Sequence, residues 1–302
     1  MPATLPAVSL AAVPGRRRQT IEIAREIERR GFDGIFCPSL FASMSLCEAL
    51  AWNTERVIFG PMIAPIYART TPDFAQAAAF LHEVSAGRFR FGIGVAHAPS
   101  HARMGVTPGK PLSDTRAFVE RLRGVEGIGP LPPIVLAALR RKMVALAGEI
   151  GQGVVFANAA RSHMAASLAA LPAAKRVDPG FFIGVMIPTC IADDIEAAKA
   201  VNRRTLTGYA RLPNYRNYWK EGGYVEEMEA IERAIAEGRE ADIARHLTDR
   251  WLDDVTLFGP ASRVRDRLGA WREAGVRTPI IVPSSASGNQ MRAIEELFTA
   301  FA

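Results

Sequence analysis

LHEVSAGRFRFGIGVAH, Leu81 to His97, runs a helix into a buried strand that ends in a glycine-spaced loop. LHEVSAG closes the helix at Gly87, since glycine enters the left-handed conformation that a helix terminus favours. RFRFGIGV then reads as a strand, with Phe89, Phe91, Ile93 and Val95 alternating against smaller or polar residues. Gly92 and Gly94 strip side chains from one face, so that a flat molecule can approach the backbone there. A planar ring is the expected tenant.

Working outward, helical and strand periods alternate with short connections, the pattern of consecutive βα units around a parallel sheet. Eight strands are expected, near Ala7–Val13, Gly34–Pro38, Val57–Ile63, Phe89–Val95, Pro133–Ala137, Gly153–Phe156, Phe181–Met186 and Thr278–Val282. The helix from Gln19 to Arg30 shows the logic: Ile23, Ala24 and Ile27 share one face, and Gly31 stops it. The expected fold class is α/β, a (β/α)8 TIM barrel in a single domain over residues 1–302, with its chemistry on the loops that follow the strands. APSHARMGVTPGKP, after His97, is expected as a loop, followed by a helix around Thr115–Arg123. A helical excursion is expected near 192–255, between the seventh and eighth strands.

A chain of 302 residues, 49% hydrophobic and 23% charged, has ample material for a core, and barrels of this length need not divide. Its 37 basic and 31 acidic residues leave +6, which suits an anionic small molecule and falls short of a nucleic-acid footprint. Cys37, Cys47 and Cys190 form no CxxC pair, so reduced thiols and a cytoplasmic setting are expected. The arginines near the start follow the apolar stretch, the reverse of a secretory signal, and no run approaches the ~20 apolar residues that span a bilayer. Four of the five tyrosines lie in GYARLPNYRNYWKEGGY: Tyr209, Tyr215, Tyr218 and Tyr224, with Trp219 among them. Such a stripe either buries its rings in packing or walls an apolar substrate.

AREIERRGFDGIFCPS (24–39), RVIFGPMIAPIYARTTP (56–72), LHEVSAGRFRFGIGVAH, IVLAALRRKMVALAGEIGQGVVFAN (134–158) and FGPASRVRDRLGAWREAGV stand in one order along nearly the whole chain. In these blocks the sequence resembles the luciferase-like flavin- or deazaflavin-dependent monooxygenases and reductases, which are (β/α)8 barrels. The resemblance implies FMN or coenzyme F420 as cofactor, a small organic substrate, and a homodimer or larger homo-oligomer. It implies that Met62, Ile63 and Ala64 form a bulge, often with a non-prolyl cis peptide, behind the ring. Gly94, Val95, Ala96 and His97 fall where the ring edge meets backbone and one polar side chain. Related deazaflavin alcohol dehydrogenases carry a carboxylate there, whereas His97 here is either a proton-handling group or a structural histidine bonded to a loop carbonyl.

Ala137, Ala138, Leu139, Arg140, Arg141 and Lys142 match the family's phosphate-binding turn, and Asn158 joins the cofactor-binding positions. The usual form carries Gly-Pro before the lysine, so Arg140 and Arg141 exchange turn geometry for charge. Read without the resemblance, a basic first turn opposes the helix dipole and calls for an anion. The segment before the fifth strand shrinks to VEGIGPLPP (Val125–Pro133), a departure that implies a shallow site or one completed by a neighbouring subunit. No Ser/His/Asp set or carboxylate pair is found, as expected where a cofactor carries the chemistry. His97 and His101 lack a third ligand, so no metal is expected. Two rivals remain: a cofactor-free barrel acting as a binding or structural subunit, and an NAD(P)-dependent dehydrogenase suggested by GIGVAH. The latter motif has His97 in place of its third glycine.

Overall fold

The computed structural model describes residues 5–39 and 42–302. In chain order the elements are β1 (Ala7–Ser9), α1 (Arg17–Arg29), β2 (Gly34–Cys37), α2 (Ser43–Asn53), β3 (Ile58–Pro61), β4 (Ala64–Pro65), α3 (Thr71–Val84), β5 (Phe91–Gly94), α4 (Ala98–Met104), α5 (Pro111–Arg123), β6 (Ile134–Ala137), α6 (Arg141–Ile150) and β7 (Gly153–Ala157). There follow α7 (Met164–Leu168), α8 (Ala173–Val177), β8 (Phe182–Ile191), α9 (Ile195–Ala210), α10 (Pro213–Glu221), α11 (Val225–Ala236), α12 (Ile243–His246), α13 (Asp249–Val255), β9 (Leu257–Gly259), α14 (Ala261–Glu273), β10 (Thr278–Ser284) and α15 (Gln290–Ala300). This alternation is the α/β order of a (β/α)8 barrel. Two compact units are present, residues 1–155 with 169–184, and residues 156–168 with 185–302.

The first unit contains two parallel ladders. In one, Val8 pairs with Ile35 and Cys37 with Pro61. In the other, Ala64 pairs with Ile93, Ile93 with Leu136, and Leu136 with Val154, one row across four strand ends. Arg90 N donates to Phe59 O at 2.8 Å, tying β3 to the start of β5. Along β5 the large residues face the helices: Phe91 lies 5.6 Å from Phe74 of α3, which meets Phe118 of α5 edge-on at 5.9 Å. All three rings are buried, each stabilising the fold by about 2–3 kcal/mol of apolar transfer.

At Gly92 the bared face of β5 admits a neighbouring strand. A Cβ on Gly92 would stand 2.0 Å from Pro61 O and 2.7 Å from Met62 Sδ, so this glycine exists to let the strand carrying Pro61 approach. The space beside Gly92 is filled by Pro61 and Met62. Helix α3 also ends earlier than read, at Val84; Ala86 (φ 51) and Gly87 (φ 81) both take the left-handed form, and Gly87 N donates to His82 O at 2.9 Å.

The segment after His97 corrects the expected loop: Ala98–Met104 is a helix. Pro99 lies in its first turn, where the missing N–H costs nothing, and Gly105 (φ 66) caps its end. Helix α5 starts at Pro111 for the same reason, four residues before the expected Thr115. Residues 124–133 form the short irregular connection into β6.

In the second unit, helices α9 to α13 occupy the expected excursion, but a strand the pattern did not reveal, β9, follows them. It pairs with the far half of β8, Thr189 against Leu257 and Ile191 against Gly259. The strand expected near Phe181–Met186 is longer: β8 continues through Pro188 to Ile191. Tyr215, Tyr218, Trp219 and Tyr224 are buried, and Trp219 meets Trp251 edge-on at 4.7 Å, so the aromatic stripe packs as core. No helix among the described residues is long and apolar enough to cross a membrane.

Candidate active site at the strand ends

Three strand ends of the first unit converge. A Cβ on Gly94 would lie 2.9 Å from Ala137 Cβ and 3.1 Å from Ile63 Cδ1, so glycine at this position lets the carboxyl ends of β5 and β6 meet the Met62–Ile63 segment between β3 and β4. The Met62–Ile63 peptide is cis, as the resemblance implied, and Ile63 is half-buried while Met62 and Ala64 are buried. Ile66 N donates to Gly94 O at 3.0 Å, fastening the segment after Ala64 to the end of β5.

Beyond Gly94 the backbone leaves the sheet. Val95, Ala96 and His97 are half-exposed, and Ala96 holds φ 60, a conformation costly for a residue with a Cβ and concentrated at functional loops. His97 is extended and begins α4. Burial, reinforced by His101, pushes its pKa below the ordinary imidazole value, so the ring is neutral at pH 7. His101 Nε2 lies 2.5 Å from Val95 O, and its ring meets Tyr67 edge-on at 5.6 Å. Tyr67 in turn donates to Asp114 Oδ2 at 2.5 Å. The sequence reading missed Tyr67 and Asp114 because they come from different elements, 47 residues apart.

Ala137 and Ala138 carry β6 into α6, with Ala138 N donating to Val155 O at 2.9 Å, and Leu139 is half-buried. Arg140, in extended conformation, precedes the helix; Arg141 and Lys142 form its exposed first turn, which holds no acidic residue. Arg141 and Lys142, exposed cations at the positive end of the helix dipole, are favoured there by a bound anion.

Asn158 belongs to the second unit. Its φ is 55, within the left-handed region that asparagine tolerates best among residues with a Cβ. Trp219 Nε1 donates to its carbonyl at 3.0 Å, while its own Nδ2 is buried without a hydrogen-bond partner. Asp254 clamps the next residues, accepting from Ser162 N at 2.9 Å, Ser162 Oγ at 2.6 Å and Tyr224 Oη at 2.9 Å. The predicted positions therefore gather on the first unit's strand ends, with Asn158 alone in the second. Because α4 does follow β5, the case against a dinucleotide turn now rests on His97 in the third glycine's place.

Comparison with known proteins gives a coherent result. A model of the family "Luciferase-like monooxygenase" matches residues 3–278. A Mycobacterium tuberculosis protein, Rv3520c, named for coenzyme F420-dependent oxidoreductase activity, is 27% identical, the match covering 88% of this chain and 90% of that one. The 5,10-methylenetetrahydromethanopterin reductase of Archaeoglobus fulgidus is 25% identical over 83% of this chain and 84% of its own. The solved structure of the coenzyme F420-dependent tetrahydromethanopterin reductase from Methanopyrus kandleri superposes with a TM-score of 0.75 at 17% identity, covering 97% of each chain, which shows a shared (β/α)8 barrel fold.

Proposed function

The chain belongs to the luciferase-like monooxygenase family, and from that premise we infer that it is an oxidoreductase using coenzyme F420 or FMN to transfer hydride to or from a small organic substrate. The observation that carries the reading is the meeting of Ile63, Gly94 and Ala137 at adjacent strand ends that lead into the half-exposed loop 95–97 and the basic start of α6. The relative named for F420 dependence supports the deazaflavin in particular.

The donors present fit such a ring, whose edge is rich in acceptors. Ala96 N–H has no partner among the described residues, so it is a donor open to such an acceptor. When bound, either ring accepts or delivers a hydride, and FMN also reacts with oxygen. Ile63 would stand behind a bound ring, and the 94–97 backbone would face its edge. The first-turn N–H groups of α6, with Arg140, Arg141 and Lys142, would hold its phosphate. Neutral His97 would accept or return a proton at its imidazole when the ring is bound. A reducing compartment belongs to the same reading, supported by Cys37, Cys47 and Cys190 as buried free thiols. So does a homo-oligomer, supported by Trp52 and Phe80, which are 68% and 52% exposed; sedimentation velocity tests it.

Titration of the purified protein with F420 and with FMN, followed by absorbance and fluorescence, tests the assignment. Saturable binding of one or both is expected, and binding of neither leaves the cofactor-free barrel. His97→Ala is expected to lower turnover at least tenfold, as loss of a general acid–base group does, while leaving cofactor Kd within about threefold.

A further inference from the structure

One peptide unit in the loop after β5 has its carbonyl taken and its N–H left open. His101 Nε2 lies 2.5 Å from Val95 O. A carbonyl oxygen only accepts, so Nε2 carries the proton and donates. Among the described residues the cis peptide is Met62–Ile63, so Val95–Ala96 is trans and its N–H points away from its C=O. Holding the carbonyl at His101 therefore aims Ala96 N–H to the opposite side, where no described residue accepts it.

His101 is itself braced. It sits one helical turn beyond His97, donating its backbone N–H to His97 O at 3.0 Å. Its ring meets the edge of Tyr67, and Tyr67 Oη is fixed on Asp114 Oδ2, which also accepts Gly109 N–H at 2.8 Å. A continuous path thus runs from Asp114 in α5, through Tyr67 and His101, to the first peptide after β5.

We propose that His101 is a positioning residue for the cofactor: by holding the Val95 carbonyl it aims the Ala96 N–H at an acceptor on the ring edge, and Tyr67 with Asp114 keeps His101 in that pose. The inference rests on the cofactor reading above. Helix capping alone would need no side-chain donor on Val95, because the carbonyl lies outside α4 and before its first residue.

The test is cofactor binding by the full chain, with F420 and FMN each titrated against wild type, His101→Leu, His101→Gln and Tyr67→Phe. Glutamine returns a donor close to the position of imidazole Nε2; leucine does not. Loss of one aimed hydrogen bond weakens binding about tenfold in His101→Leu. His101→Gln should stay within about threefold of wild type, and Tyr67→Phe, which keeps the ring and loses Asp114, should fall between them. The absorption maximum of the bound cofactor should shift in His101→Leu and return in His101→Gln, a signature that folding alone does not move. Equal affinities and spectra in the leucine and glutamine variants overturn the proposal, as does wild-type affinity in the leucine variant. If His101→Leu fails to fold, the glutamine and Tyr67→Phe variants decide: both unchanged from wild type supports only the glutamine arm and overturns the role of Tyr67, while a weakened glutamine variant overturns the role of the donor. Absence of binding to wild type would instead defeat the cofactor reading, and this inference with it.

Discussion

His97 ties local burial to a measurable pH dependence. Its pKa falls from the ordinary 6.5 because the folded chain removes water from the ring and places His101 beside it. Between the lowered value and 6.5 the unfolded chain binds more protons than the folded one, so stability rises with pH across that window and is complete above it. Urea denaturation from pH 8 to pH 5 should therefore show wild type losing more stability than His97→Gln; parallel profiles would remove the burial argument. Gly92 makes the second residue-scale prediction. Gly92→Ala drives a methyl into Pro61 O and Met62 Sδ and should cost at least the upper part of the usual ~1–3 kcal/mol for overpacking. Gly208→Ala, in α9 with nothing near its Cβ position, should instead stabilise by about 0.5–1 kcal/mol. Chemical denaturation distinguishes the two. The glycine spacing was legible as a special strand end. Its purpose was not, because the atoms that require Gly92 belong to a segment thirty residues earlier and leave no trace in the spacing along β5.

At the scale of elements, α6 joins charge to backbone geometry. Its first turn exposes N–H groups and carries Arg141 and Lys142, with Arg140 just ahead of it. Arg140→Ala combined with Lys142→Ala should weaken F420 or FMN binding several-fold while leaving the melting temperature near that of wild type, because both side chains are exposed. Unchanged dissociation constants would move the phosphate elsewhere. α10 contributes through packing, since Trp219 lies against Tyr215 and Trp251 and donates to the Asn158 carbonyl. Trp219→Ala should cost about 3–5 kcal/mol, and Trp219→Phe about 1 kcal/mol for the lost hydrogen bond, both read from denaturant midpoints. The long amphipathic helices and the strands with alternating pattern were legible because each repeats its period several times. α4 escaped because Pro99 and Gly105 read as breakers, although a proline in a first turn and a glycine after a last turn also frame a helix. β9 escaped because three residues, LFG, are too few to display a period.

For the whole molecule, the net charge of +6 biases encounter toward anions, and that bias is screened by salt. F420 carries more negative charge in its tail than FMN, so its affinity should fall more steeply between about 50 and 300 mM salt; equal slopes would place the tail away from the cationic surface. Family membership and the order of βα units were readable along most of the chain, because five separated blocks kept their sequence. The Val95–His101–Tyr67–Asp114 path was not readable, since each link crosses between elements that only the fold brings together. The most direct test of the account is an equilibrium titration of the purified chain with F420 and FMN, monitored through the ring's own absorbance. The account predicts saturable binding of at least one ring, weakened by the Arg140 and Lys142 replacements. Failure of both rings to bind at any attainable concentration would contradict it.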